Sequence, residues 1–205
     1  ITRVIVTAAL GLYLMITSGL PLLALLSAAV TRAIGVPSTP DNWTADNFLA
    51  VLTPRTGYAL GRSLLLALAA ASILIVLGSL AAALGRTRGG RGLSVLITLT
   101  LVLPGSTLAI GLLIGYGRWL ADTVVIILIA YLAKLWALAH RPMSAAVDRL
   151  PSAGLHAARV SGAGLPTALA TVVVPLLRPA LIAAWGLCFL TALHEVTMSS
   201  LLYGP

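Results

Sequence analysis

The chain has 205 residues, of which 60% are hydrophobic and only 9% charged, and its mean hydropathy is +1.06. An average soluble domain carries roughly 25% charged residues, so this composition cannot build a water-facing surface. It excludes a soluble globular enzyme and a disordered chain, and leaves a polytopic membrane protein. The net charge of +8 comes from 13 Lys+Arg against 5 Asp+Glu. The basic residues lie mainly between apolar runs, so they report topology and not nucleic-acid binding.

In chain order, the first element is an uncharged run over residues 4–30, bounded by Arg3 and Arg32. It is too long for a signal peptide, lacks a cleavage site and reads as a true span with a bend at Pro21. Residues 33–61 hold Pro37, Pro40, Asp41, Asp46 and Pro54 and read as an aqueous loop. Within it, residues 41–49 are predicted to form one short helix capped by Asp41, with Trp43 and Phe48 at the membrane interface. Residues 63–84 form the second span, and 85–92 a short basic turn. Residues 93–117 form the third span, with Pro104 inside it, and 123–139 the fourth, with Lys134 near one end. The stretch 140–166 is polar and punctuated by Gly and Pro. The fifth span, 167–193, is interrupted by Pro175, Arg178 and Pro179. In the third span, Gly111 and Gly115 have the spacing that permits close helix approach.

Unbalanced arginines orient these spans. Arg86, Arg88 and Arg91 in the 85–92 turn, and Arg141, Arg149 and Arg159 against Asp148 alone in 140–166, fall on one side together with Arg3. That side is assigned to the cytoplasm, which places 33–61 outside and leaves Lys134 and Arg178 near cytoplasmic helix ends, free to snorkel.

Catalytic motifs fail residue by residue. The 85–92 turn has phosphate-loop glycine spacing but lacks the Lys and Ser/Thr that would hold phosphate and magnesium, so it reads as a basic turn at the membrane surface. His194-Glu195 begins a zinc-protease helix pattern, but the second His position is Met198. Neither Gly115-Tyr116-Gly117 nor Gly162-Ala163-Gly164 completes a dinucleotide fingerprint. Cys188 is the single cysteine, which excludes an internal disulfide and a cysteine metal cluster. No catalytic site, metal site or cofactor of this chain is expected.

One motif is informative. His156-Ala157-Ala158-Arg159-Val160-Ser161-Gly162 is followed after nine residues by Val172-Val173-Val174-Pro175. This resembles the signature loop of binding-protein-dependent ABC transporter permeases, whose pattern is Glu-Ala-Ala, three residues, Gly, nine residues, Ile-x-Leu-Pro. His156 stands where the family has Glu. The approach Asp148-Arg149-Leu150-Pro151, the start of the second span at Arg62-Ser63 and the mid-span Leu103-Pro104-Gly105 fit the same family. The segment from His194 to Pro205 resembles the external segment of ferric-iron-type permeases.

The resemblance implies an all-α, polytopic helical bundle of the MetI-like permease fold, in the bacterial inner membrane. It implies a short cytoplasmic coupling helix that docks on a separate ABC ATPase dimer, which would hold the ATP and Mg. A second permease half (a second copy or a tandem fusion) and an extracytoplasmic solute-binding protein complete the expected assembly. Ferric iron is the favoured cargo, with polyamine, thiamine, phosphonate and oxyanions as alternatives. Family members usually carry a further span, so this chain is expected to be an excerpt of a longer protein.

The residues agree with that role. Residues 152–160 can form a short helix with Ser152 as N-cap. Leu155, Ala157 and Ala158 are apolar or small and permit close approach of a partner, with His156 and Arg159 beside them. Gly162 and Gly164 allow a sharp turn, and Pro166 can start the next helix. A neutral His156 cannot supply the charge of the family's Glu, and a protonated one reverses it. His194 and Glu195 are the other polar outliers; they read first as groups just outside the bilayer, where solvation costs little, with a place on the cargo path as the alternative. Two competing classes are an ion-coupled secondary transporter, which should show intramembrane acids around broken helices, and a non-transporting membrane scaffold.

Overall fold

The computed structural model describes residues 2–33, 35–87, 89–162 and 164–203. The described residues are helical throughout, apart from turns and one isolated β-bridge between Thr31 and Trp43. Four helical runs among them are long and apolar enough to cross a membrane: Arg3–Val30, Pro54–Gly85, Val124–Asp148 and Leu165–Leu193. The chain divides into two compact units, residues 1–61 and 62–205.

In the first unit, α1 (Thr2–Leu14) and α2 (Leu20–Val30) are joined by a widened π turn, Met15–Gly19. Pro21 has no N–H to offer the Thr17 carbonyl, and its ring would press on that group. The π turn lies where the conflict falls and absorbs it. The leucines of this run are exposed, as suits a helix whose neighbours are lipid tails. The segment after it is pinned back onto the end of α2. Thr44 N–H donates to the Val30 carbonyl at 2.7 Å, and Asn47 Nδ2 donates to the carbonyls of Ala29 and Thr31 at 3.0 and 2.8 Å. These bonds satisfy carbonyls that a helix terminus leaves without partners. They also hold Trp43 extended, so the single helix expected over 41–49 is replaced by a 3-10 turn, Pro40–Asn42, and a separate α3 (Asp46–Val51).

α4 (Pro54–Gly85) starts earlier than the expected 63–84, because Pro54 is well placed to open a helix. Apart from Leu74, its buried stripe is made of small residues: Ala67, Ala70, Ala71, Gly78, Ala81 and Ala82. At Gly78 it meets α7 (Val124–Asp148) so closely that a Cβ there would lie 2.7 Å from Ala139 Cβ and 2.9 Å from the Ala139 carbonyl carbon. By contrast, a Cβ on Gly111 or Gly115 would meet nothing within 4 Å. The small-residue spacing in the third span therefore serves no close approach among the described residues.

The expected third span, 93–117, is not one helix. It divides into α5 (Gly90–Leu99) and α6 (Gly105–Leu120). Pro104 cannot donate to the Thr100 carbonyl, and it disfavours a helical conformation at Leu103 before it. Both halves pack along α7. Ile97 clusters with Ala137, while Leu108, Leu112 and Leu120 pack against a cluster that includes Ile126, Ile127 and Ala130. The pair thus follows α7 in the opposite sense, with its break midway.

α7 is the central post of the second unit. It runs well past the expected 123–139 and takes in 140–148, because Met143 and Val147 continue its buried stripe beyond His140. The end of the chain forms α8 (Ser152–Val160), α9 (Leu165–Ala168), a π turn (Leu169–Val173), α10 (Val174–Leu193) and α11 (Thr197–Leu202). The second π turn lies just ahead of Pro175, as the first lies just ahead of Pro21. The interruption expected at Pro175, Arg178 and Pro179 is therefore a widened turn ahead of Pro175 alone; Arg178 and Pro179 lie inside α10, in an otherwise continuous helical run, Leu165–Leu193. Trp185 and Phe189 stack at 5.3 Å on α10, and Trp185 Nε1 donates to Ser72 Oγ on α4 at 3.3 Å.

Candidate functional site

The loop that carries α8 folds as its residues require. α8 covers Ser152–Val160, the range expected from sequence. Ala157 is exposed, Ala158 half-buried and Val160 exposed, so small and apolar surface is presented outward. The side chains of Ser152, Leu155, His156 and Arg159 lie outside the described residues. Ser161 N–H donates to the Ala157 carbonyl at 3.0 Å, and the helix then reverses at Gly162, whose φ is +78°. A β-branched residue would be strained in that left-handed conformation. Gly164 is the extended residue before α9, and Pro166 stands in the first turn of that helix. The loop returns onto its own exit. A Cβ on Gly154 would lie 3.2 Å from Val172 Cγ1, which fixes α8 against the π turn.

His194 and Glu195 occupy the turn between α10 and α11. His194 is exposed and Glu195 half-buried. The segment is not a free external loop: Met198 and Leu202 of α11 are fully buried in the core around α6 and α7. Glu195 Oε1 accepts the Met198 N–H at 3.2 Å and so caps α11, while Tyr131 Oη donates to the Glu195 carbonyl at 3.1 Å. Tyr131 lies about 10 Å along α7 from Val124, at 1.5 Å rise per residue. A Cβ on Gly105 would lie 3.1 Å from Met198 Cγ and 3.7 Å from Glu195 Oε1. The turn at 194–196 and the break at 100–104 therefore abut.

Lys134 completes this junction. It is not near a helix end, as expected from sequence, but about 15 Å from the Val124 end of α7 and about 21 Å from Asp148. Its Nζ donates to the Leu103 carbonyl, inside the break that Pro104 creates. Tyr131 and Lys134 are three residues apart and share a face of α7. One holds the α10–α11 turn and the other the α5–α6 break. Among the described residues no group of three or more His, Cys, Asp or Glu could hold a metal ion.

Residues 74–205 match the family described as "Binding-protein-dependent transport system inner membrane component". The chain belongs to this family. It is a multi-pass helical inner-membrane component, and the resemblance carried by Ala157, Ala158, Gly162 and Pro175 holds at the level of the family. Among its relatives, the putrescine transport system permease protein PotI of Escherichia coli strain K12 is 29% identical over 158 residues, covering 72% of this chain and 56% of PotI. The probable ABC transporter permease protein y4fN of Sinorhizobium fredii is 27% identical over 219 aligned positions, covering 99% of this chain and 38% of y4fN. The chain thus spans about half, or less, of the curated relatives it matches.

Sequence reasoning found α8 and the turn at Gly162 because their signals are local. It missed the roles of Tyr131, Lys134 and Gly78. Lys134 did carry a signal, as a lone cation in an apolar run, but its partner lies 31 residues away.

Proposed function

We propose that this permease is the transmembrane subunit of an ATP-driven importer. A separate cytoplasmic ATPase dimer holds ATP and Mg, an extracytoplasmic binding protein delivers the cargo, and a second permease half completes the pore. The observation that carries this reading is α8: a short helix with exposed Ala157, ended by a left-handed Gly162, inside the region that matches the family. Its outward small side chains suit close approach of a partner groove. The Arg-rich ends at 85–92 and 140–166 are read as cytoplasmic, and Arg86 does meet the end of α7. External thiol labelling should then reach Thr44→Cys and not Thr87→Cys.

For the cargo we favour a small organic polycation over the ferric iron expected from sequence. The named substrate of PotI is putrescine, and a carboxylate, Glu195, lies half-buried at the junction of two interrupted helices. Broken helices of this kind line the cargo route in other transporter folds. His194, exposed beside it, is assigned to the mouth of the same route. Reconstitution in proteoliposomes with the partner ATPase and binding protein tests both parts. ATP-dependent uptake of labelled putrescine, abolished in Glu195→Ala, supports the reading. Uptake of ferric iron and not of putrescine overturns the cargo, and uptake without any ATPase overturns the importer class.

A further inference from the structure

The turn between α4 and α5 reaches 61 residues along the chain to grip the end of α7. Arg86 Nη2 donates to the Val147 carbonyl at 2.6 Å, and Arg86 Nε lies 3.5 Å from Asp148 Oδ1. The sequence explains why that carbonyl is available. In a continuing helix its partner would be the N–H of residue 151, but Pro151 has none. Leu150 N–H takes one lone pair in a tighter turn at 3.1 Å. The guanidinium takes up the second acceptor position and places a cation at the negative end of the α7 dipole.

This contact sits where the coupling loop starts. Asp148 is the last residue of α7 and Ser152 the first of α8. At the other end of the loop, Gly154 rests on Val172. We infer that Arg86 is a positioning residue for coupling: it fastens the root of the α8 loop to the α4–α5 turn, so that a displacement of α8 carries α4 and α5 along with α7 and α10. The inference rests on the coupling role proposed above for α8. A basic turn that served only lipid headgroups would have no need to spend its guanidinium on a protein carbonyl.

The test uses the whole transporter in proteoliposomes and reads cargo moved per ATP hydrolysed, at equal amounts of assembled complex. Arg86→Ala should still bind the ATPase and hydrolyse ATP, yet move about fivefold less cargo per ATP, on the scale of one lost hydrogen bond to a charged, part-exposed group. Arg86→Lys, which keeps the charge and one donor, should recover part of the loss. Asp148→Asn should stay within about twofold, because the side chains of the pair are 46% and 64% exposed. A normal ratio in Arg86→Ala overturns the inference. A second measurement leaves Arg86 intact: spin labels on Thr87→Cys and Ala153→Cys, in a Cys188→Ala background. Their separation should be unchanged between the nucleotide-free and ATP-trapped states, and a change of several ångströms overturns the inference. Ala158→Trp separates the two levels. If it leaves ATPase binding and transport intact, the coupling role of α8 fails. If it uncouples while Arg86→Ala does not, only the clamp fails.

Discussion

The α8 loop and the helix junction handle the same physical problem in opposite ways. Both interrupt helices and both free backbone carbonyls. Beyond its root at Val147, which Arg86 holds, the loop's partners are close in sequence: Ser161 reaches Ala157, and Ala168 reaches Gly164. At the junction they are distant: Lys134 reaches Leu103, and Tyr131 reaches Glu195, 64 residues on. A segment that satisfies itself leaves its outer face free for another protein. A segment whose polar groups are held by a neighbouring helix is part of the wall, and any opening there must break those bonds.

The sharpest test of this contrast is Ala158→Trp, which overfills the outer face of α8. Transport should fall to background while the melting temperature of the detergent-purified permease stays within about 2 °C, since Ala158 is half-buried and outside the core clusters. A large loss of stability instead would place α8 inside the fold. Gly78→Val should behave in the reverse way. Its Cβ would lie 2.7 Å from Ala139 Cβ and 2.9 Å from backbone, so the α4–α7 contact must open. Overpacking of this kind costs roughly 1–3 kcal/mol, to be read as a lowered thermal midpoint.

At the junction, Lys134→Met removes the donor to Leu103. The expected cost is about 1.5–3 kcal/mol, the range for hydrogen bonds to charged groups, with Lys134→Arg retaining most of the stability. An unchanged midpoint for Lys134→Met would show that the break needs no fastening. Tyr131→Phe should give the smallest effect, about 0.5–1.5 kcal/mol, and loosen only the 194–196 turn. Protection of the α11 amides against hydrogen exchange is the measurement to use, and equal protection in both proteins would detach Tyr131 from the junction.

Composition alone decided the class, because 9% charged residues cannot solvate a globular surface. Local sequence also set α8, Gly162 and the turn after it, because a short helix ended by glycine depends on neighbours within a few residues. Prolines marked the trouble spots, but what each became was decided by context. Pro21 and Pro175 produced π turns inside continuous helices, whereas Pro104 produced a full break. At Pro104 a side chain from another helix, Lys134, takes a freed carbonyl, as Arg86 takes the Val147 carbonyl ahead of Pro151.

Helix lengths were likewise settled in three dimensions. Hydropathy ended the fourth span at Ala139, but burial of Met143 and Val147 against α4 and α10 carries α7 to Asp148. Glycine spacing pointed to Gly111 and Gly115, yet the close crossing is at Gly78, because which face of a helix meets a neighbour depends on the packing of both. Glu195 could be read as polar in an apolar setting. Its place beside Gly105, Met198 and Tyr131 required the tertiary fold, since contacts between residues 64 and more apart leave no local pattern in the chain.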